Sequence, residues 1–361
     1  MDFRRNKFKE YKTLTNIGPT MYWLNKFVGK VFKHFNWKKT MFLFDKDYQE
    51  QITNSNCYLT MASLKQALLN DKVSVDYKIR DKQDPRPAEQ ILIDYVSNKF
   101  SVILLCGSTQ FVYDIMQAAK KKGFLNGEYV FINFDLYAQM HSDDRLFQPW
   151  KTVSNGKEIS MQNVQAYEGL LTVTLKIDDT QNGQYKAFQK RLVEYSNQFK
   201  DESEVNYFLA SFYDAMHIYV NALNKTVLSN DSINNIPAVL SHMWNIEFEG
   251  ITGKVVIDNY GERMGEFVMF DLNPESKLFE PVISSTISNN TDVVLTVDEK
   301  RPIYWTGFEH GQFPDSPKCG YPDIAHVKCP VEVPLPLWVW LLIVMGCVMV
   351  IMCIIGFILY K

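Results

Sequence analysis

Apolar and polar positions in the first half of the chain follow two periods, one typical of buried strands and the other of amphipathic helices. Short apolar runs predict strands at residues 40–45, 100–105 and 129–134, and strict alternation predicts another at 73–79. Between them the sequence predicts helices at 57–70, 87–98 and 108–123, the last with Ser108 as its N-cap and Gly123 past its end. Strands that alternate with helices indicate an α/β fold with a parallel sheet covered on both faces.

The second half of the chain has fewer but longer signals. Residues 206–228 predict a long amphipathic helix, whose apolar stripe we expect to face the core: Phe208, Phe212, Met216, Tyr219, Val220 and Leu223. Two apolar runs around a glycine-containing turn predict a β-hairpin at residues 254–272. The segment 289–333 is rich in proline, glycine and charge and predicts a stalk that leads into the membrane, and we assign residues 311–336 to its juxtamembrane region.

Ligands of an open parallel sheet bind beyond the carboxyl ends of its strands. The residues that the predicted strands deliver to that edge are Asp45, Arg80, Asp81, Cys106, Gly107, Ser108, Asp135 and Tyr137. We therefore expect the functional site of this chain at the carboxyl edge of the sheet.

A run of 24 residues, 337–360, just before the final Lys361 includes no charged side chain. About 20 apolar residues span the hydrocarbon core of a bilayer, so this run predicts one transmembrane helix. Trp338, Trp340 and Tyr360 lie at its ends, where amphipathic rings favour the headgroup region.

Charge and cysteine usage narrow the class of protein. A net charge of −3 argues against a nucleic-acid partner. Cys57, Cys106, Cys319 and Cys329 lie outside the apolar run, and this even number favours disulfides in an oxidising compartment over four unrelated buried thiols.

Glycosylation signals support the same compartment. Sequons at Asn224, Asn230 and Asn289 favour an extracellular location for the bulk of the chain. The basic residues 1–12 lack the apolar core of a secretory signal, which by itself would suit a tail-anchored protein facing the cytosol. Because cysteines and sequons oppose that alternative, we expect that a signal peptide has been lost.

Catalytic and metal-binding motifs are missing from the sequence. It contains no phosphate-binding glycine loop, nucleophile elbow or metalloprotease motif, and its six histidines are scattered, so we predict no catalytic residues, metal or cofactor. The turn at Asp258 resembles a calcium loop faintly but lacks its distal glutamate. Cys319 and Cys329 could bind a metal, although a disulfide is the better interpretation because no further thiol or histidine cluster lies nearby.

A series of segments in order resembles the ligand-binding ectodomain of natriuretic peptide receptors and related receptor guanylyl cyclases. They are LTNIGPTMYWLNKFVGKVFKHFNWKKTMFLF, LLCGSTQFVYDIMQAAKKKGFLNGEYVFINFDLY, SFYDAMHIYVNAL, FEGITGKVVIDNYGERMGEF and PKCGY, and the resemblance covers residues 13–361. It implies a type I periplasmic-binding-protein-like fold of two α/β lobes at residues 13–310. It also implies a plasma-membrane, single-pass type I protein, and a peptide hormone held between two receptor copies as a homodimer.

The resemblance also assigns individual residues. NCYLT and LLCGS match the flanks of one family disulfide, which implies Cys57 with Cys106, and PKCGY implies Cys319 with Cys329. The positions that match hormone-contacting residues are Tyr58, Tyr77, Ile79 and Arg80, of which only Tyr58 keeps a similar side chain. Because that surface has diverged, the ligand need not be a natriuretic peptide, and simple packing of the tyrosines is an equal alternative.

Two departures from the family pattern affect the expected function. The family's ectodomain begins about a hundred residues earlier, with the first part of the distal lobe, and its cyclases continue beyond the span. We therefore interpret the chain as a receptor truncated at both ends, without cyclase activity of its own, with an ordered proximal lobe at residues 37–175 and weak or no hormone binding. The alternatives are a non-enzymatic clearance receptor, and a small-ligand receptor of the same fold that would read an amino acid through Ser108 and Thr109.

Overall fold

The computed structural model describes residues 3–18, 20–45, 56–80, 86–136, 150–154, 157–160, 164–176, 182–198, 207–288, 292–301, 303–304, 315–317, 345 and 349. The chain divides into two compact units, residues 1–322 and 323–361. In the second unit only Met345 and Met349 are described, and both are helical and exposed.

The described strands, in chain order, are β1 (Lys39–Asp45), β2 (Ser74–Arg80), β3 (Val102–Cys106), β4 (Val130–Phe134), β5 (Lys151–Ser154), β6 (Lys157–Ser160), β7 (Leu170–Leu175), β8 (Ile246–Gly250), β9 (Gly253–Ile257), β10 (Phe267–Leu272), β11 (Phe279–Ser288) and β12 (Asp292–Val297). The described helices are α1 (Met21–His34), α2 (Asn56–Asn70), α3 (Ala88–Ile91), α4 (Thr109–Lys121), α5 (Asn182–Gln198), α6 (Tyr207–Leu228) and α7 (Ile236–Ser241). A π-helical turn, Leu92–Val96, continues α3.

Eight strands form one sheet in the order β12-β11-β10-β7-β4-β3-β1-β2. The pairs from β2 to β7 are parallel, whereas β7, β10, β11 and β12 pair antiparallel. Every residue of β3, β4, β7 and β10 is buried, as expected for strands covered on both faces. The predicted α/β class with a mostly parallel sheet is confirmed.

Helices α1 and α2 cover one face of this sheet. Buried side chains of α1, such as Trp23 and Phe27, share a core cluster with Phe42 of β1 and with Leu64 of α2. Ser108 caps α4 as predicted, because its Oγ accepts the backbone N–H of Phe111 at 3.1 Å, and Gly123 follows that helix at φ 76°.

A second, smaller core lies around the two-stranded sheet of β8 and β9. Ile218 and Ala222 of α6, Val239 of α7 and Val255 of β9 form it together with Ile17 from the N-terminal segment.

The predicted hairpin at residues 254–272 is wrong. β9 pairs with β8, and β10 pairs with β7 and β11, so the two apolar runs belong to different sheets. Only an isolated bridge between Ile257 and Arg263 remains between them. The physical reason is backbone pairing: because all six residues of β10 are buried, their N–H and C=O groups need partners on both sides, and β7 and β11 supply them.

The predicted core stripe of α6 is wrong for four of its five described side chains, whereas Leu223 is partly buried against the second core as predicted. Phe212, Met216, Tyr219 and Val220 are about half exposed, and Met216 reaches 62% exposure. The buried face of α6 carries small residues, one isoleucine and one carboxylate: Ala210, Ser211, Asp214, Ile218, Ala222 and Thr226.

The predicted stalk begins within the sheet. Residues 292–297 form β12, paired with β11, and the Asp292 carboxylate accepts a hydrogen bond from the Lys30 ammonium at 2.8 Å. Further on, Asp315 bonds to the amino edge of the sheet: its Oδ1 accepts the Lys38 N–H at 2.6 Å and its carbonyl oxygen accepts the Ser101 N–H at 3.2 Å. The chain therefore lies against the edge opposite the predicted ligand-binding edge.

The N-terminal residues are part of the fold rather than a separate basic segment. The Arg4 guanidinium lies 3.8 Å from the centre of the Tyr22 ring and forms ion pairs with Asp258 and Glu262. At the turn that resembles a calcium loop, the Asp258 Oδ1 accepts the N–H groups of Tyr260 and Glu262. The structure thus shows a turn closed by an arginine at this position.

No helix within the described residues is long and apolar enough to cross a membrane. The predicted span, residues 337–360, lies outside those residues apart from the two methionines already named. Cys319 and Cys329 also lie outside them, as do Asp81, Tyr137 and Asn289.

Candidate ligand-binding surface

A disulfide joins Cys57, in the first turn of α2, to Cys106, the last residue of β3. Their Cα atoms are 5.4 Å apart, within the usual range for a disulfide, and both residues are buried. The first of the two disulfides that the resemblance implies is confirmed. Its position fixes the start of α2 at the carboxyl edge of the sheet.

Gly107 allows the chain to turn closely at this edge. A Cβ atom at this position would overlap the Phe111 ring and lie 3.2 Å from the Cβ of Asp45, so only glycine fits without movement of its neighbours. Ser108 then uses its hydroxyl to cap α4. That hydroxyl is engaged in the fold, which weakens the alternative of an amino-acid site built on Ser108 and Thr109.

Tyr58 and Tyr77 lie on the α2 side of the sheet and are exposed by 45% and 47%. The Tyr58 ring is 6.4 Å from the Phe44 ring, and the Lys65 ammonium lies 3.8 Å from the centre of the Tyr77 ring. Leu59 adds a further exposed apolar side chain beside Tyr58. These aromatic rings are partly supported from beneath but open to solvent, as expected for a contact surface.

Ile79 and Arg80 separate at the end of β2. Ile79 is partly buried and packs against the core cluster beneath α2. Arg80 lies on the α4 side, where its guanidinium is 3.8 Å from the Asp114 carboxylate and 5.7 Å from the centre of the Phe111 ring. The four predicted ligand residues are therefore near one edge, but they do not form a single cluster.

A cavity of about 650 Å³ lies on the Arg80 side of β2, between α3 and α4. The Glu89 carboxylate in its wall accepts hydrogen bonds from its own backbone N–H and from Lys121 at 3.0 Å, and these hold the pKa of Glu89 below its usual range. Arg80 and Asp114 also line it. The cavity is polar and carries both signs of charge, which suits charged parts of a ligand better than apolar ones.

Two features were not indicated by the sequence. They are the contact of Asp315 with the amino edge of the sheet and the second core around β8 and β9. Asp315 bonds to Lys38 and Ser101, and nothing in the local pattern marks Asp315 as a docking residue. Among the described residues, no group of three or more histidine, cysteine, aspartate or glutamate side chains could hold a metal ion.

Comparison with known proteins supports the resemblance found in the sequence. Residues 4–275 match the family model ANF_receptor, described as the receptor family ligand binding region. The chain is 31% identical over 332 residues to receptor-type guanylate cyclase gcy-28 of Caenorhabditis elegans. The aligned region covers 86% of this chain and 24% of that protein.

Two further relatives come from the rat, Rattus norvegicus. Atrial natriuretic peptide receptor 3 is 28% identical over 266 residues, 73% of this chain and 47% of that receptor. Atrial natriuretic peptide receptor 2 is 24% identical over 336 residues, 90% of this chain and 30% of that receptor. The chain thus spans between about a quarter and a half of the length of these relatives. With three quarters of its residues matched by the family model, this chain belongs to the ANF receptor family, as a receptor family ligand binding region.

Proposed function

We propose that this chain is the ligand-binding and membrane-anchoring portion of a single-pass receptor guanylate cyclase, and that it binds an extracellular peptide. The observation that carries the proposal is the pair of exposed rings, Tyr58 and Tyr77, at the sheet edge that the Cys57–Cys106 disulfide fixes. Relatives named as atrial natriuretic peptide receptors support the peptide class of ligand.

The shape of this surface also favours a peptide. Aromatic rings supply a large contact area at little cost in conformational entropy, and they are enriched at binding interfaces. β2 is the last strand of the described sheet, so its outer main-chain groups face away from β1. An extended peptide can pair with such an edge strand while its side chains contact Tyr77 on one face and Arg80 on the other.

The remaining parts of the proposal concern the cell surface. The apolar run 337–360 would be the anchor, and Asn224 and Asn230, which are exposed, would carry glycans outside the cell. The ligand would be held by a homodimer, and cGMP synthesis would belong to the full-length protein. In the alternative, a non-enzymatic clearance receptor, the same surface binds the peptide without any change in cGMP.

A binding experiment tests the proposal on the full chain. Fluorescein-labelled atrial natriuretic peptide is titrated with the purified chain, and fluorescence polarisation is measured. We expect weak, saturable binding that falls about thirtyfold in the double variant Tyr58→Ser, Tyr77→Ser, because truncation of an aromatic anchor at an interface costs on the order of 1 kcal/mol. The matched control is Tyr195→Ser, Tyr219→Ser, which removes two rings elsewhere that are exposed by 60% and 46%.

The proposal fails if the parent chain does not bind the peptide, or if both double variants lose the same affinity. The enzymatic and clearance alternatives are separated in cells that express the full-length protein. A peptide-dependent rise in cGMP supports the cyclase, and peptide uptake without that rise supports the clearance receptor.

A further inference from the structure

An arginine near the start of the described chain fills a pocket of rings and carboxylates. The Arg4 guanidinium carbon lies 3.8 Å from the centre of the Tyr22 ring and 4.6 Å from that of the Tyr260 ring. Its Nε donates to the Glu262 carboxylate at 2.7 Å, and its Nη2 forms an ion pair with Asp258. The four residues that contact the guanidinium are called the arginine cage below: Tyr22, Asp258, Tyr260 and Glu262.

The acidic side of the arginine cage is built by a backbone turn. The Asp258 Oδ1 accepts the N–H groups of Tyr260 at 2.8 Å and of Glu262 at 3.0 Å, and the Asp258 carbonyl accepts the Gly261 N–H at 3.0 Å. Gly261 has a φ of 68°, and a Cβ atom there would overlap the Trp244 indole, so the turn needs glycine. These hydrogen bonds hold the two carboxylates together whatever cation lies between them.

The buried charges of the cage require a cation. The side chains of Asp258 and Glu262 are only 4% and 6% exposed, and a buried carboxylate without a counter-ion is strongly unfavourable. Lys7 is a second buried cation near Glu262, whose charge opposes the lowering of the Lys7 pKa by burial. Without Arg4, two buried carboxylates would therefore share one buried lysine, and the cage would attract another cation.

The geometry suits a guanidinium better than an ammonium group. A planar guanidinium donates to two carboxylates along its edge while its face contacts aromatic rings, whereas an ammonium group is a point charge. Arg4 makes both kinds of contact. Lys26 lies 5.1 Å from the centre of the Tyr22 ring, but its ammonium pairs with Asp292 at 3.9 Å, on the outside of the cage.

The segment that carries Arg4 is attached to the rest of the fold through its side chains. The backbone hydrogen bonds described for residues 4–14 join members of that segment to one another, and the first to another element runs from the Asn16 N–H to the Gly261 carbonyl. Phe8 contacts the Tyr260 ring at 5.6 Å and is nevertheless 61% exposed. Arg4 can therefore leave the cage without breaking the pairing of any described strand.

We infer that the arginine cage is a recognition site for a guanidinium group, which Arg4 fills from within the chain and which an arginine of a basic peptide fills in its place. A clamp that only pins the N-terminal segment would make the same contacts. The two roles differ in whether an arginine from outside can replace Arg4. The inference does not depend on the proposed peptide surface, which lies on α2 and β2.

The first experiment empties the cage in the full chain, kept in a neutral detergent. Arg4→Ala should lower the melting temperature by about 5 °C, because it leaves buried carboxylates without their counter-ion. Low millimolar ethylguanidinium should restore about half of that loss, and ethylammonium should restore much less. The control is Arg301→Ala, which removes an exposed guanidinium 4.0 Å from Asp298 and should show no recovery with either ion.

The second experiment tests whether an outside arginine enters the cage. The peptide FRRNKF, which copies residues 3–8, carries fluorescein at its carboxyl end and is titrated with each chain while fluorescence polarisation is measured. We expect it to bind Arg4→Ala at least about tenfold more tightly than the parent, in which Arg4 competes for the same site. FQQNKF, the control peptide, should bind both chains equally weakly. Adding Glu262→Gln to Arg4→Ala should abolish the gain, with circular dichroism confirming that both variants are folded.

Three results overturn the inference. The first is that FRRNKF binds the parent and Arg4→Ala with equal affinity, or binds neither. The second is a gain that persists in the variant with Glu262→Gln. The third is equal recovery of the melting temperature with ethylammonium, which would show a site for any small cation.

Discussion

Replacing Asp271 by asparagine should change how the stability of this protein depends on pH. Asp271 lies in β10 and is 2% exposed. Its Oδ1 accepts the Leu272 N–H at 2.9 Å, and its Oδ2 accepts the Tyr304 N–H at 2.6 Å. Burial raises the pKa of Asp271 from 3.8 to about 7, although the two N–H groups act in the opposite direction.

The sign of the effect follows from proton binding in the two states. Between pH 3.8 and about 7 the folded chain keeps the Asp271 proton, whereas the unfolded chain has released it. The free energy of unfolding must therefore fall as the pH rises through this window, and Asp271 contributes no slope outside it. At about 1.4 kcal/mol for each pH unit, the fall over this window is at most about 4 kcal/mol.

Asparagine removes the titration but keeps the shape of the side chain. Its amide NH₂ would face one of the two N–H donors, at a cost of about 1–3 kcal/mol that is the same at every pH. We expect Asp271→Asn to be less stable than the parent chain near pH 4 and to approach or exceed it near pH 8. Urea unfolding, followed by circular dichroism between pH 4 and pH 8.5, measures the difference.

Subtracting the two pH profiles isolates Asp271, because the other titrating groups are common to both chains. Asp231→Asn serves as the control, since Asp231 is exposed and the exchange should give parallel profiles. A difference between Asp271→Asn and the parent that stays constant from pH 4 to pH 8.5 would refute the reasoning.

Three further predictions concern stability. Replacing both cysteines of the described disulfide by serine should lower the free energy of unfolding by about 2–4 kcal/mol, and unfolding curves that match the oxidised parent would contradict this. Gly107→Ala should cost about 1–3 kcal/mol because its methyl group has no room, whereas Gly183→Ala, with nothing within 4 Å, is its control; equal urea midpoints would count against the argument. Met216→Gln should cost less than about 0.5 kcal/mol and reduce self-association in analytical ultracentrifugation, whereas Ile218→Gln on the buried face should cost more than about 2 kcal/mol; the reverse order would contradict the observed orientation of α6.

The parallel part of the sheet was predictable because its signals are local. Each strand from β1 to β4 is a short apolar or alternating run followed by turn residues, and Ser108 marks the start of α4. Parallel strands also share one carboxyl edge, so the order of elements was enough to place Arg80 and Cys106 at the same end of the sheet.

Strand partners were not predictable in the same way. The buried run 267–272 has the composition of a central strand, but its neighbours, β7 and β11, are set by distant parts of the chain. A nearby glycine turn gave the appearance of a hairpin. Local periodicity identifies a strand, whereas its pairing is decided by which faces remain to be covered.

The prediction of which face of α6 is buried failed for a different reason. Amphipathic analysis places large apolar residues inward and carboxylates outward. In the structure Asp214 is buried because its carboxylate accepts the N–H groups of Ile251 and Thr252 at the β8–β9 turn, at 2.7 Å and 3.2 Å. Arg263 lies 3.8 Å from the same carboxylate. A buried acid that satisfies a turn cannot be distinguished from a solvated one by spacing alone.

The two edges of the large sheet carry the two features on which a receptor would depend. The proposed peptide surface is at the carboxyl edge, and Asp315 lies at the amino edge on Lys38 and Ser101, the residues that precede β1 and β3. β1 has seven residues and so separates the edges by about 20 Å. Its interior residues are fully paired and buried between β2 and β3, which makes an internal change of length or register costly. Under the proposed function, we therefore expect a ligand at one edge to move the sheet as a rigid body and to carry the segment at the other edge with it, since rigid-body motion is one way in which proteins transmit a conformational change.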